Sequence, residues 1–248
     1  MTVIKSPQEL AIMRQAGKIV ARTLQKLAEE VKPGIKTRHL DSVAVSELKK
    51  YGAKASFKGY RGFPASVCVS VNDEIVHGIP GDRELNDGDI VSLDFGAIVN
   101  GFHGDGALTV GVGKISPKAH ELKELTKEAL MVGIKEARNG ARLGDVSAAI
   151  QDYVETRGFS VIREYSGHGI GRDLHEDPLV PNFGIAGEGP ILRKGMTMAI
   201  EPMVTVGDWR TRVADNKWTV VTADGSLSAH FEHTIAIGDD EAEILTLI

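Results

Sequence analysis

Five side chains in this sequence are of metal-binding type and stand where such groups are otherwise uncommon: Asp94, Asp105, Glu201, Glu232 and His168. Asp94 and Asp105 flank Asn100-Gly101, the strongest two-residue hairpin signal, because both turn positions need positive φ. With that turn, Asp94 faces Ala107 and Asp105 faces Gly96 across the ribbon. The aspartates are then diagonal neighbours on one face, roughly 7–8 Å apart at the backbone, a distance from which both can reach a shared ion. Without a cation, two anions on a buried face repel and at least one takes up a proton. Taken alone, the two residues read equally well as exposed aspartates in surface salt bridges. Gly96, Gly104 and Gly106 surround them; glycine is costly in a strand and signals close approach by another group.

The elements that must position these residues follow a grammar used twice. Ser6-Pro7-Gln8-Glu9 reads as N-cap, proline at N1 and the glutamate of a capping box. Leu10, Met13, Gly17, Val20, Leu24, Leu27 and Val31 continue at steps of three and four, one apolar stripe stopped by Lys32-Pro33-Gly34. A second helix is expected from about Thr37 to Tyr51, with Gly52 as its C′ glycine. Ser116-Pro117 then opens a helix carrying Leu122, Leu125 and Ala129 and closing near Gly140. A further one carries Val146, Ala149, Ile150 and Val154 and ends at Gly158.

Gly34 matches Gly140 and Gly52 matches Gly158 at an offset of 106, while Leu85-Asn86-Asp87-Gly88 matches Leu192-Arg193-Lys194-Gly195 at 107. Val76-His77-Gly78-Ile79-Pro80 likewise echoes Gly167-His168-Gly169-Ile170-Gly171. Ordinary helix punctuation explains some of this, but the shared order favours an old duplication, with related halves at roughly 1–115 and 116–248. The expected fold is α+β, each half pairing helices against antiparallel strands, with the site between them.

The duplication bears on the chemistry. Asp94 maps onto Glu201, a carboxylate inside the apolar run Met198-Ala199-Ile200-Glu201-Pro202-Met203, and Asp105 is echoed by Glu232 before Ile235 and Ile237. A lone histidine is more often structural than a ligand, yet His168 joins this set on a glycine-rich backbone. Four carboxylates and one imidazole form a mostly hard, oxygen-rich donor set that suits Mn²⁺, Fe²⁺ or Co²⁺ and can also hold Zn²⁺. Five side chains exceed what one tetrahedral ion needs, so two ions sharing bridging carboxylates fit better.

Composition narrows the function classes. The 248 residues suffice for one large core or two fused half-domains. A net charge of −5 without any basic stripe argues against a nucleic-acid partner. Cys68 is the single cysteine, so no internal disulfide can form. The opening residues mix charges and show neither an apolar h-region nor a small-residue cleavage site, so no secretory signal is expected, and runs such as Val67–Val71 are too short to span a bilayer. The expected location is the cytosol.

The ordered set Asp94, Asp105, His168, Glu201 and Glu232 resembles the metal site of the pita-bread peptidases, and most closely that of type I methionine aminopeptidases. The phrases Ser92-Leu93-Asp94-Phe95-Gly96, His103-Gly104-Asp105, Gly167-His168-Gly169-Ile170-Gly171 and Ala199-Ile200-Glu201-Pro202-Met203 resemble theirs, as does Ser226-Leu227-Ser228-Ala229 leading to Glu232-His233-Thr234. The likeness runs from Ile4 to the C-terminal strand and is to the short bacterial form.

That resemblance implies one catalytic domain, 1–248, that removes the initiator methionine of nascent polypeptides when the second residue is small and uncharged. It implies two divalent ions (Co²⁺, Mn²⁺, Fe²⁺ or Zn²⁺) and a hydroxide between them. Asp105 and Glu232 would bridge the ions, His168 and Glu201 complete the first, and Asp94 cap the second. Glu201 would shuttle the proton, His175 stabilise the developing oxyanion, and His77 bond the peptide beyond the cut. The methionine pocket maps onto Tyr60, Phe63, Cys68, Leu174, Met203 and Trp218; members often carry an aromatic where Leu174 stands. On residue type alone, Met196, Met198 and Met203 read as core filler and Cys68 as a small buried hydrophobe. His39, His103, His120, His230 and His233 receive no role. The chain is expected to act as a monomer, at the ribosome, with no membrane partner. A prolidase or aminopeptidase P would share the five ligands but usually carries an added N-terminal domain. A non-catalytic peptide-binding protein on this fold would typically lose ligands, and none is missing.

Overall fold

The computed structural model describes residues 3–248. Its helices are α1 (Pro7–Glu30), α2 (Thr37–Tyr51), α3 (Pro117–Glu136) and α4 (Leu143–Glu155). α1 begins where its capping box dictates: the Ser6 hydroxyl accepts from the Glu9 amide at 3.3 Å, and the Glu9 carboxylate accepts from the Ser6 amide at 3.0 Å. Met13, Gly17, Val20, Leu24 and Leu27 of the apolar stripe are buried, whereas Leu10 and Val31 at its ends are half-buried. α2 closes on Gly52, whose φ of 65° is the left-handed geometry that a C′ glycine supplies.

α3 stops at Glu136, four residues before the Gly140 anticipated from the sequence. The reason is a competing set of backbone bonds. The Gly140 amide donates to the Leu192 carbonyl at 2.9 Å and the Leu192 amide returns to Ala141 at 2.8 Å. The first half repeats this stitch, with Gly34 to Leu85 at 2.7 Å and Leu85 to Ile35 at 2.9 Å.

An antiparallel nine-stranded sheet forms the centre. Its hydrogen-bonded order is Lys54–Ala55, Ile90–Val99, Phe102–Gly111, Glu232–Ile237, Thr197–Ile200, Gly167–Gly169 and Glu176–Val180. Cys68–Val71 also pairs with Ile90–Val99, and Ala242–Ile244 with Glu232–Ile237. Two three-stranded sheets complete the fold. One joins Ser228–His230, Met203–Thr205 and Ser160–Val161; the other joins Thr211–Val213, Val220–Thr222 and Glu74–Val76.

Each helix pair covers one half of the sheet. Val20, Leu24 and Leu27 of α1 with Leu40, Ala44 and Leu48 of α2 pack on Val91, Leu93 and Phe95. Leu122, Leu125 and Ala129 of α3 with Val146, Ile150 and Val154 of α4 pack near Met198, Ile200 and Ile235.

One sequence echo does not survive folding. Gly167–Gly169 is a strand of the large sheet beside Thr197–Ile200, but Val76 ends a strand of a small sheet and His77 has a φ of 59°. The segment that flanks Asp94's strand is Cys68–Val71. The shared His-Gly-Ile phrase therefore occupies two different backbone settings. The glycines around the aspartates do mark a close approach, but to the protein itself: a Cβ on Gly104 would lie 2.9 Å from the Gly17 nitrogen of α1.

Candidate active site

The hairpin forms with the expected register. Asn100 and Gly101 take φ values of 47° and 79°, Asp94 faces Ala107, and Asp105 faces Gly96. Glu232 then faces Ala107 from the next strand, His233 faces Ile200, and His168 faces Ala199. Glu201 directly follows the strand Thr197–Ile200. Its carbonyl is held by the Asn182 amide at 3.0 Å. Consecutive neighbours in the sheet thus each supply one of Asp94, Asp105, Glu232, Glu201 and His168.

Three inter-strand steps separate the strands of Asp105 and His168, about 14 Å in a flat sheet at about 4.8 Å per step. Yet ligand atoms of Asp105, His168 and Glu232 all lie within 4.8 Å of one another. Sheet curvature and inward-reaching side chains close that gap. Asp94 and Glu201 line the same cavity.

The electrostatics of this cluster call for a cation. Asp105, His168 and Glu232 are 4%, 3% and 2% exposed, and among the described residues no lysine or arginine forms an ion pair with any of the four carboxylates. Burial, opposed by His230 and reinforced by Glu201, raises the Asp94 pKa to about 7. Burial, opposed by His168, raises that of Glu201 to about 7 as well. Asp105 and Glu232 are pushed well above the carboxylate range by burial and then by the neighbouring anions. Asp94 Oδ1 and Glu232 Oε1 are buried without any hydrogen-bond partner. Uncompensated buried charge costs several kcal/mol per ion, and divalent cations would both neutralise these groups and occupy their orphaned oxygens. His168 fits the same purpose. Its Nδ1 lies 2.8 Å from the Gly169 carbonyl, which can only accept, so Nδ1 carries the proton and Nε2 keeps a free lone pair.

Above the cluster lies a cavity of about 170 Å³. His77, His175, Tyr60, Phe63, Cys68, Leu174, Met203 and Trp218 all line it. Phe63 meets Trp218 edge-to-face at 5.2 Å, and His77 stands edge-on to Trp218 at 6.5 Å. His175 stacks on Tyr60, with its Nδ1 2.8 Å from the Tyr60 hydroxyl, and lies 4.1 Å from the His168 ring. Burial lowers the His77 pKa to about 4. Partial burial, then His168 and Arg61, hold His175 well below its ordinary value. Both imidazoles are therefore neutral near pH 7. Cys68 is paired in register with Asp94. Burial and the nearby carboxylates push its thiol pKa up, so it stays a neutral wall.

Phe57, Arg61 and Tyr165 also line the cavity and were absent from the sequence reading, because they lie in irregular segments without a periodic signal. His230 was passed over as well. It is 1% exposed, and its Nε2 lies 3.4 Å from Glu201 Oε2. Its place two residues before Glu232 was the available clue, since period-two spacing puts both on one side of an extended chain. The remaining histidines are peripheral to the cluster: His103 meets the Ser56 hydroxyl, His233 meets that of Thr246, and His39 and His120 are exposed.

Comparison with known proteins shows the family and the fold. The profile of metallopeptidase family M24 matches residues 11–239. A methionine aminopeptidase of Clostridium perfringens is 55% identical, with 100% of both chains covered. Methionine aminopeptidase 1 of Bacillus subtilis is 54% identical, also with 100% of both covered. The crystal structure of a methionine aminopeptidase from Thermotoga maritima superposes with a TM-score of 0.99 at 49% identity, covering 100% of each chain. The fold is thus the α+β pita-bread arrangement expected from the sequence.

Proposed function

Since the chain belongs to metallopeptidase family M24, among its type I methionine aminopeptidases, we propose that it removes the N-terminal methionine of polypeptides by metal-dependent hydrolysis. The observation that carries this reading is the convergence of four carboxylates and one imidazole, without a lysine or arginine partner among the described residues, below a largely apolar cavity.

Two divalent ions are the proposed cofactor: Co²⁺, Mn²⁺, Fe²⁺ or Zn²⁺. Asp105 and Glu232 would bridge them, with His168 and Glu201 on one and Asp94 on the other. Bound there, such ions would lower the pKa of water, polarise the scissile carbonyl and hold the free amine.

The chain's own groups do the rest. Phe63, Cys68, Leu174, Met203 and Trp218 enclose the methionine side chain, and Tyr60 orients His175. With the Tyr60 hydroxyl donating to Nδ1 of His175, Nε2 carries the proton and donates to the carbonyl oxygen as negative charge develops on it. The Glu201 carboxylate takes the proton of the attacking water and returns it to the leaving amine. His77, neutral at the rim, bonds the peptide beyond the cut. The second residue would be small and uncharged, as the family resemblance implies.

Residues 1–248 would act as one catalytic domain, as a monomer in the cytoplasm, on nascent chains at the ribosome. The repeated Gly34–Leu85 and Gly140–Leu192 stitches support an origin by duplication. Among the described residues no helix is long and apolar enough to cross a membrane.

The test is hydrolysis of Met-Ala-Ser, Met-Leu-Ser and Ala-Pro-Ser by protein loaded separately with each candidate metal. Release of methionine from Met-Ala-Ser, with much slower cleavage of the other two, is expected. Cleavage of Ala-Pro-Ser alone would overturn the reading in favour of an Xaa-Pro peptidase.

A further inference from the structure

His230 closes the small strand Ser228–His230, which pairs it with Met203 and so sets its ring beside the segment containing Glu201. The ring is buried, yet neither Nδ1 nor Nε2 has a hydrogen-bond partner. Buried imidazole nitrogens are seldom left unsatisfied, and each exception calls for a reason. The backbone cannot swing to relieve this one. The Thr109 hydroxyl accepts from the His230 amide at 2.9 Å and donates to the His230 carbonyl at 2.9 Å, while also meeting the Ser92 hydroxyl at 2.8 Å. The ring is thus anchored through the hairpin that carries Asp94 and Asp105. Its ion-pair contact is with Glu201 Oε2, 3.4 Å from Nε2 but not aligned as a hydrogen bond, and Asp94 also lies near enough to interact with the ring through its charge. On the other side of the same carboxylate, Oε1 lies 3.6 Å from His168 Nε2. Glu201 is therefore flanked by two imidazoles, one on each oxygen, and only His168 has its second nitrogen committed elsewhere.

We infer that His230 is a positioning residue for Glu201: its Nε2–H donates to Oε2, fixing the carboxylate plane so that Oε1 is presented to the metal cluster. The inference rests on the reading of Glu201 as metal ligand and proton carrier. A carboxylate asked both to ligate and to move a proton needs one oxygen restrained, and partners that orient a ligand are worth roughly 10–100-fold in metal affinity or activity. Glu201's carbonyl is held by Asn182; of its carboxylate oxygens, Oε1 faces His168 and Oε2 is left to His230.

The test compares His230→Leu, which keeps bulk but loses the donor, with His230→Gln, which restores an N–H. Mn²⁺ affinity is measured by calorimetry, kcat and KM on Met-Ala-Ser, and folding by thermal denaturation. In His230→Leu, Mn²⁺ affinity and kcat should both fall by roughly 10–100-fold, with KM changed less than about threefold. His230→Gln should recover most of both losses. Wild-type Mn²⁺ affinity and kcat in His230→Leu would overturn the inference, as would equal losses in the two variants. Should the wild-type protein release no methionine at all, the hydrolysis reading fails, and the Mn²⁺ affinities still decide the role of His230.

Discussion

The Thr234 hydroxyl clasps Asp105 on both sides of its backbone, accepting from the Asp105 amide at 3.0 Å and donating to the Asp105 carbonyl at 2.8 Å. Regular pairing between these strands is recorded at Glu232–Ala107 and His233–Gly106, so a side chain continues the ladder at the residue that must aim its carboxylate. Replacing Thr234 by Val keeps the shape and leaves two buried backbone groups unpaired, at about 1–3 kcal/mol each. Thr234→Val should lower the midpoint of thermal unfolding by several degrees, since about 1 kcal/mol moves it by about 2–4 °C at this size, and weaken metal binding. An unchanged melting curve would show the clasp to be dispensable.

Asp94→Asn should fold but take up little metal, losing at least the roughly 10–100-fold in activity typical of disturbed metal shells. Metal content per chain and peptide turnover measure it. Turnover at the wild-type rate would remove Asp94 from the ligand set.

His175→Ala should keep its metal content, because the ring stands at the cavity rim, and lose roughly 10²–10³-fold in kcat, the usual loss on removing an oxyanion donor. A variant as fast as wild type would exclude His175 from the chemistry.

Metal-free protein should become less stable as pH rises from about 7. Asp94 and Glu201 have ordinary pKa values of 3.8 and 4.5 but about 7 in the fold. The raised carboxyls make the native state bind more protons than the unfolded chain, whereas His77 and His175, lowered from an ordinary 6.5, act in the opposite sense below that value. From about pH 7 upward only the raised carboxyls, Asp105 and Glu232 above all, still act, and stability falls. Excess Mn²⁺ should reverse the loss, by about 4 kcal/mol at a thousandfold excess over Kd. Thermal melts with chelator at pH 7 and pH 8.5 check the sign; greater stability at pH 8.5 would contradict it.

Gly104→Ala should destabilise the fold without touching the cavity. The new methyl would meet the Gly17 nitrogen at 2.9 Å and the Ala16 carbonyl carbon at 3.0 Å. These are backbone atoms of α1, and overpacking of this kind costs about 1–3 kcal/mol. Denaturant titration would reveal it, and a wild-type midpoint would mean that α1 shifts freely.

What the sequence alone determined was local. The Asn100-Gly101 turn specifies its own register, so the diagonal placement of Asp94 and Asp105 was legible within a few residues of the turn. Ser6 and Glu9 likewise announce the start of α1. The identities of the five candidate ligands were legible too, as ordered phrases. Only the tertiary structure decided that His168 comes within 4.8 Å of Asp105 from three strands away. That closeness depends on curvature, a property of a whole twisted sheet packed under two helix pairs, which no short window of residues encodes. The same holds for His230: its type and position were visible, but its solitude beside Glu201 exists only once distant strands enclose it.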